Sequence, residues 1–317
     1  PAVGLDTSTG RVAQVWRILH IDRYPDVDWI DMSRARFLRF GLVGPGRVGS
    51  TLTASLTSAG HILAAVADRH RPLGDGVADL DLILLAVPDD ALAGVVGQLC
   101  PLVRPGQVVV HTSGAHGLAV LAPLTAVGAV GLAMHPAMTF TGTPADRDRL
   151  DAGISFGVTA PDQARSLAAR LVADLGGWIE WIPEPDRVMY HAALASGANH
   201  LVTLVADAAD RLRDAGVLEP ARVLTPLLTA ALDNALRLGD GALTGPVARG
   251  DAGTVAAHLE TLTARAPESV PPYVVLARRT VDRAITAGRL TATSAGPLLD
   301  LLATRTARIH AHHGGTP

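Results

Sequence analysis

Apolar positions follow two rhythms along this chain. Up to about residue 183 they gather in short, nearly unbroken runs at 38–43, 62–67, 81–87, 108–110, 127–134, 154–158 and 178–182. Runs of this length without period-2 polarity predict strands buried on both faces. The stretches between them have helical spacing. Val48, Leu52 and Leu56 share one face of a helix that Gly60 stops; residues 91–102 form a second, ended by the Pro105-Gly106 turn; residues 162–175 form a third, before Gly176-Gly177. Strands alternating with helices predict an α/β domain with a doubly wound, mostly parallel sheet. After Pro183 the spacing is helical throughout and no strand is expected. The chain therefore divides into residues 1–36, an α/β domain at 37–184 and an all-helical domain at 185–317. Residues 1–36 carry Trp16, Trp29 and no clear period, and Met32 lies shortly before the first strand. An N-terminal arm and an extension ahead of a start at Met32 both remain open, and disorder is compatible with either.

The first strand runs directly into Gly44-Pro45-Gly46-Arg47-Val48-Gly49, which opens the first helix. A G-x-G-x-x-G sequence alone is weak, but between a buried strand and a helix it is the dinucleotide-binding fingerprint of a Rossmann domain. Gly44 permits the tight turn, Gly46 lets a pyrophosphate approach the backbone, and Gly49 lets helix and strand pack closely. The helix N-terminus, from Arg47 and Val48 on, offers free N–H groups to the phosphates. Asp68 ends the second strand, where an acid would bind ribose hydroxyls and favour NAD. Arg69 and Arg71 follow at once and would hold a 2′-phosphate, which favours NADP. The expectation is NADP, with NAD possible. Val87 and Pro88, ending the third strand, complete the cofactor set with Ser113 and Gly114.

Two histidine motifs fall at strand ends, where open α/β sheets bind ligands. These are His111-Thr112-Ser113-Gly114 and Met134-His135-Pro136-Ala137-Met138-Thr139-Phe140. Imidazole titrates near neutrality, so His135 is the candidate to donate a proton or orient a substrate carbonyl or carboxylate. Both histidines have a bland alternative as hydrogen-bonded structural groups. A serine hydrolase is disfavoured because no G-x-S-x-G elbow occurs. Zinc on His111, His116 and His135 is disfavoured by their spacing and the want of an acidic ligand, so no metal is expected.

Residues 190–212 read as one long helix, apolar almost all round and therefore expected to be buried. It carries His191, Ser196, Asn199 and His200. Asn199 is a candidate catalytic residue and Ser196 a substrate contact. Thr244-Gly245-Pro246-Val247-Ala248-Arg249-Gly250-Asp251 lies between helices. There Thr244, Gly245 and Arg249 are substrate candidates, with Arg249 either clamping an anion or pairing with Asp251. A capped helix junction is the alternative.

Composition narrows the classes. A net charge of -3 gives no electrostatic case for nucleic acid or an anionic membrane. One cysteine, Cys100, excludes an internal disulfide. Residues 112–145 lack Asp, Glu, Lys and Arg, long enough for a span, but Pro123, Gly128 and Pro136 interrupt them. Neither a membrane span nor a signal peptide is expected, and cytoplasm is the default compartment. There is no lysine anywhere in the sequence, which argues against lysine-driven alcohol oxidation.

The order of these motifs resembles a bacterial family of Rossmann-like proteins with a helical C-terminal domain of unknown function, labelled as NADP oxidoreductases. The resemblance covers about residues 38–305, and Thr-Gly-Pro-x-x-Arg-Gly-Asp is its most specific part. More distantly the chain is similar to pyrroline-5-carboxylate reductase and the 6-phosphogluconate dehydrogenase group. This resemblance implies a homodimer formed through the helical domain and a substrate cleft between domains. The reading is an NAD(P)H-dependent reductase of a small C=N or C=O compound. A non-catalytic redox sensor or scaffold is the alternative, and it has no need for His135, Asn199 and Arg249 to converge.

Overall fold

The computed structural model describes residues 37–313, so the expectations for residues 1–36 lie outside the described residues. Seven strands form one sheet: β1 (Arg39–Val43), β2 (Ile62–Ala67), β3 (Leu82–Leu85), β4 (Val108–His111), β5 (Val130–Pro136), β6 (Ser155–Thr159) and β7 (Trp178–Trp181). Their spatial order is β2-β1-β3-β4-β5-β6-β7. All neighbours run parallel except β5 and β6, which are antiparallel. The mostly parallel, doubly wound sheet expected from the apolar runs is present.

The central strands read as continuous apolar runs because both of their faces are covered, while the edge strand β2 is apolar but partly exposed. Phe40, Leu42, Leu82, Leu84, Val108 and Val110 face one way and pack on helices α1 (Arg47–Ser58) and α5 (Arg165–Asp174). Their neighbours Val43, Ile83, Leu85 and Val109 face the other way, onto α2 (Asp89–Leu99) and the short α3 (Ala122–Ala126). Helix α4 (Pro144–Asp151) follows β5. Along β1 and β3, consecutive residues therefore serve opposite layers, and neither can be polar without exposing a buried dipole.

The described residues up to Asn199 form one compact unit, and residues from His200 onward form another. The long helix α6 (Arg187–Asp214) begins in the first and ends in the second. The second unit is helical: α7 (Pro220–Leu238), the one-turn α8 (Gly245–Ala248), α9 (Ala252–Arg265), α10 (Val270–Thr286) and α11 (Ala292–His313). Its core comes from Val255 and Leu259 of α9, Val274, Ala277, Val281 and Ala284 of α10, and Leu298 and Leu302 of α11. The 3–4–3 spacing in α10 is the buried stripe of an amphipathic helix.

One expectation fails here. Residues 190–212, within helix α6, are expected to be buried, yet Val202 is 67% exposed and Leu201 and Leu204 are exposed as well. Among the described residues of α6 only Arg187 is buried. An all-apolar surface shows that a helix must be covered by something; it does not show that its own chain does the covering.

Gly49 fixes the join between α1 and the sheet. A Cβ there would lie 2.2 Å from the Gly44 carbonyl oxygen and 3.0 Å from Leu42 Cδ1, both inside the packed layer. Gly49→Ala is expected to destabilise the domain by about 1–3 kcal/mol, the usual cost of overpacking, read as a lower melting temperature. An unchanged melting temperature would show that α1 does not need this close approach.

Candidate dinucleotide and histidine site

The parallel strands bring the sequence-predicted motifs to one edge of the sheet. From β1 the chain crosses to β2 on one side and then returns past β1 to β3 on the other. The ends of β1 and β3 are therefore adjacent at the switch point, where open α/β sheets form their crevice. Gly44 sits there at φ +92° and donates its N–H to the Ala67 carbonyl. A Cβ on Gly44 would lie 2.5 Å from the Ala86 oxygen and 3.0 Å from Val87 Cγ1. So Gly44, Val87 and Pro88, which leads into α2, are neighbours in space as well as in role.

Two features leave this turn free for an anion. Helix α1 starts without a side-chain cap and has no acidic residue in its first turn. A Cβ on Gly46 would meet nothing within 4 Å, so this side of the turn is open. The first N–H groups of the helix are thus available to a phosphate. Arg47 is turned toward the loop after β5. Its Nη1 donates to the Phe140 carbonyl at 3.4 Å, and its stem packs near Gly142.

At the end of β2, one oxygen of Asp68 accepts the N–H groups of His70 (2.7 Å) and Arg71 (3.0 Å). These bonds hold its carboxyl below the usual range. The acid thus shapes the 68–71 turn, which presents Arg69, His70 and Arg71 to solvent.

His111 is fully buried. Its Nδ1 accepts the Ser113 N–H, and its Nε2 lies 2.9 Å from the Gly117 carbonyl. Burial drops its pKa to about 4, so the ring is neutral and braces the loop after β4. The Ser113 hydroxyl is occupied too, accepting the His116 N–H at 3.0 Å. Gly114 is the close approach in this loop: a Cβ would lie 2.5 Å from the His191 ring and 3.1 Å from His135 Nε2.

His135, near the end of β5, is half-buried. Its Nδ1 is 3.0 Å from the Tyr190 hydroxyl, and its ring meets Tyr190 and His191 edge-on with centroids 5.6 and 5.9 Å away. Burial, reinforced by the Arg187 charge, lowers its pKa to about 4. The Tyr190 hydroxyl lies against Gly157, and burial raises its pKa. A phenol is the stronger acid and a neutral imidazole nitrogen the stronger acceptor, so the phenol proton goes to His135 Nδ1. The imidazole then carries its hydrogen on Nε2, a tautomer assigned from the network.

Sequence reasoning missed Tyr190, Glu184 and Arg187. Arg187 is 1% exposed, and its guanidinium donates to the Ser113, His116 and Gly157 carbonyls. Glu184 accepts the N–H groups of Leu118 and Ala119 at 2.7 and 3.0 Å. Both act on backbone groups, so no side-chain pattern announces them.

The remaining candidates lie on α6 and in the second unit. Ser196 and Asn199 are exposed and one turn apart on α6. In the second unit, Thr244 is exposed, and Gly245 and Gly250 adopt φ +89° and +71° around the one-turn α8. Asp251 caps α9 through the Thr254 N–H and hydroxyl. Arg249 is exposed and in no ion pair among the described residues. Among the described residues there is no grouping of metal-ligating side chains and no helix long and apolar enough to cross a membrane.

The two buried-neutral histidines set an acid limit. Each has a folded pKa of about 4 against 6.5 for the free group. Below pH 6.5 the unfolded chain binds protons that the native state refuses, so stability is complete above 6.5 and falls as pH drops toward 4. His135→Asn is expected to flatten that fall in a melting-temperature profile from pH 7 to 4; an equally steep profile would assign it to other groups.

Comparison with known proteins agrees with this architecture. Residues 23–136 match the Rossmann-like domain family, and residues 154–280 match the domain of unknown function DUF2520. The first match starts at Arg23, ahead of the 38–305 span of the motif resemblance. No curated protein matches the chain in sequence. Among solved structures, a provisionally assigned NADP oxidoreductase of Bacteroides fragilis, BF3122, is 20% identical with a TM-score of 0.63, over 78% of this chain and 98% of that one. Protein TM1727 of Thermotoga maritima is 19% identical with a TM-score of 0.60, over 78% and 99%. A pyrroline carboxylate reductase of Plasmodium falciparum with NADP bound is 14% identical with a TM-score of 0.52, over 82% and 98%. At such identities the likeness is one of fold. The chain therefore pairs a Rossmann-like domain with a DUF2520 domain, the combination that its motifs resemble.

Proposed function

We propose that the protein is an NADPH-dependent reductase of a small C=N or C=O compound. The observation that carries this reading is the shared sheet edge. An uncapped, glycine-lined helix start at the β1/β3 switch point lies on the same edge as a polar cluster of His135, Tyr190 and His191. A fold-level likeness to the NADP-bound reductase of Plasmodium falciparum agrees with it.

The turn Gly44–Gly49 and the first N–H groups of α1 would hold the pyrophosphate. Val87, Pro88, Ser113 and Gly114, at neighbouring strand ends, would line the rest of the cofactor site. Arg69 and Arg71 would take the 2′-phosphate, since Asp68 spends one oxygen on its own turn. When bound, the nicotinamide supplies the hydride.

The protein supplies orientation and polarisation. A histidine with a pKa near 4 is neutral at physiological pH, so His135 acts as a hydrogen-bond donor through Nε2. A neutral imidazole can polarise a carbonyl or imine without surrendering a proton. A neutral carbonyl or imine accepts that bond and takes the proton that completes the reduction from water, whereas an iminium brings its own proton and would not use the Nε2–H donor. Asn199 and Ser196 on α6 are assigned to the substrate side, and Thr244, Gly245 and Arg249 to substrate contacts from the helical domain. The exposed apolar rows on α6 and α7, including Val202, Leu204, Val223, Leu227 and Leu236, support a second copy of the chain as their cover, and with it a homodimer through the helical domain.

Two measurements test this. Fluorescence titration is expected to show NADPH binding more tightly than NADH. Replacing both Arg69 and Arg71 by Ala should weaken NADPH by roughly 10–100-fold, as loss of a charge-assisted hydrogen bond implies, and leave NADH nearly unchanged. Equal weakening of both cofactors would move the 2′-phosphate contact elsewhere. NADPH binding without turnover on any imine or carbonyl would favour the sensor. Light scattering should give a dimer mass that Leu227→Glu shifts toward monomer; a monomeric parent protein would reject the dimer.

A further inference from the structure

The loop from Ser113 to Ala119 is held at both ends by one turn of chain. That turn joins β7 to α6 and reads Glu184-Pro185-Asp186-Arg187. Glu184 accepts two N–H groups from the far end of the loop, at Leu118 and Ala119. Arg187 donates to two carbonyls at its near end, Ser113 and His116. The carboxylate thus takes donors and the guanidinium takes acceptors. Inside the loop, His111 bridges to the Gly117 carbonyl and the Ser113 hydroxyl accepts the His116 N–H. Gly117 lies directly on the Glu184 carboxylate, where a Cβ would be 2.1 Å from its oxygen.

The same guanidinium reaches β6. Its Nη1 donates to the Gly157 carbonyl at 3.0 Å, and Gly157 is the residue paired with His135 in the antiparallel ladder. Gly157 also touches the Tyr190 ring, with a Cβ position 2.4 Å from the hydroxyl, and the guanidinium stands 5.7 Å over that ring. Among the described residues Arg187 has no carboxylate within ion-pair distance; its bonds are to the three carbonyls and weakly to the Thr159 hydroxyl. A fully buried arginine with only neutral acceptors is costly to place. Backbone carbonyls of three separate segments therefore converge on it, and it holds them in turn.

We infer that Glu184 and Arg187 are positioning residues. Together they clamp the 113–119 loop and β6 around the His135–Tyr190 pair, and so fix His135 with Nδ1 on the phenol and Nε2 toward Gly114. Neither residue touches the reacting atoms. The clamp deepens the proposed reductase reading, in which Nε2 is the working atom. It also explains why the loop tolerates Gly114 without drifting: the glycine gives the histidines room, and the clamp supplies the rigidity that the missing side chain withholds.

The experiment reads the tautomer of His135 directly. Nitrogen-15 imidazole spectra of the full chain, with the His135 signal assigned by its loss in His135→Gln, are expected to show a single Nε2–H form. In Arg187→Met and Glu184→Gln the signal should move toward a mixture of the two tautomers, because each releases one end of the 113–119 loop. Arg187→Lys keeps the charge but lacks the fork, and is expected to shift the signal as well. Should Arg187→Met fail to fold, Glu184→Gln and Arg187→Lys carry the test. A folded variant that keeps the pure Nε2–H form overturns the clamp. A parent protein that shows the pure tautomer yet binds no NADPH overturns the cofactor reading and leaves the clamp standing.

Discussion

The constraint on which the rest of the structure depends is the crossing at β1. Because the chain leaves β1 for β2 and comes back to β3 on the opposite side, two neighbouring strands end side by side with their connections diverging. A crevice opens there without any residue being spent on making it. The glycine turn then has to be narrow, because Gly44 lies against the backbone of β3 and α1 lies against Gly44. The next two strands, β4 and β5, run parallel to β3, so their ends deliver the Ser113-Gly114 loop and His135 to the same edge. With β6 the direction reverses, which lays Gly157 beside His135 and brings a second set of backbone groups to the histidine.

What the sequence made legible follows from this. The central strands β1, β3 and β4 could be read from apolar runs because two covered faces leave almost no polar position. The edge strands β2 and β7 could be read because their runs stay mostly apolar although they are partly exposed. The glycine turn could be read because each glycine answers a steric demand: a left-handed φ at Gly44 and a 2.2 Å encroachment at Gly49. Arg187 and Glu184 were illegible for the complementary reason. Their partners are carbonyl and amide groups that every residue carries, so the pairing leaves no trace in side-chain identity. Helix α6 shows another limit. Its apolar character was plain, but the same pattern describes a helix buried in a core and one left bare for a further surface. Asp68 shows a third, since a carboxylate after β2 looks the same whether it meets a ribose or closes its own turn.

The electrostatics of the edge are unusual for a site so rich in histidine. His111 and His135 are both held neutral, chiefly by burial, with the Arg187 charge adding to the effect. That charge is spread over carbonyl dipoles, with Glu184 and Asp89 as its distant counter-charges. The arrangement keeps a fixed positive potential next to rings that stay uncharged across the ordinary pH range. Such a site presents constant polarity and a constant set of donors and acceptors.

Gly114 carries a consequence for how this site can change. His135 arrives on a strand and His191 on a helix, and both rings come to rest against the one backbone atom that bears no side chain. The two imidazoles therefore share a single steric stop. A methyl group at that position would push on both at once, so no substitution there can retune one ring while sparing the other. Variation in what the edge accepts has to come from residues behind or beside the pair, with position 114 acting as a fixed gauge.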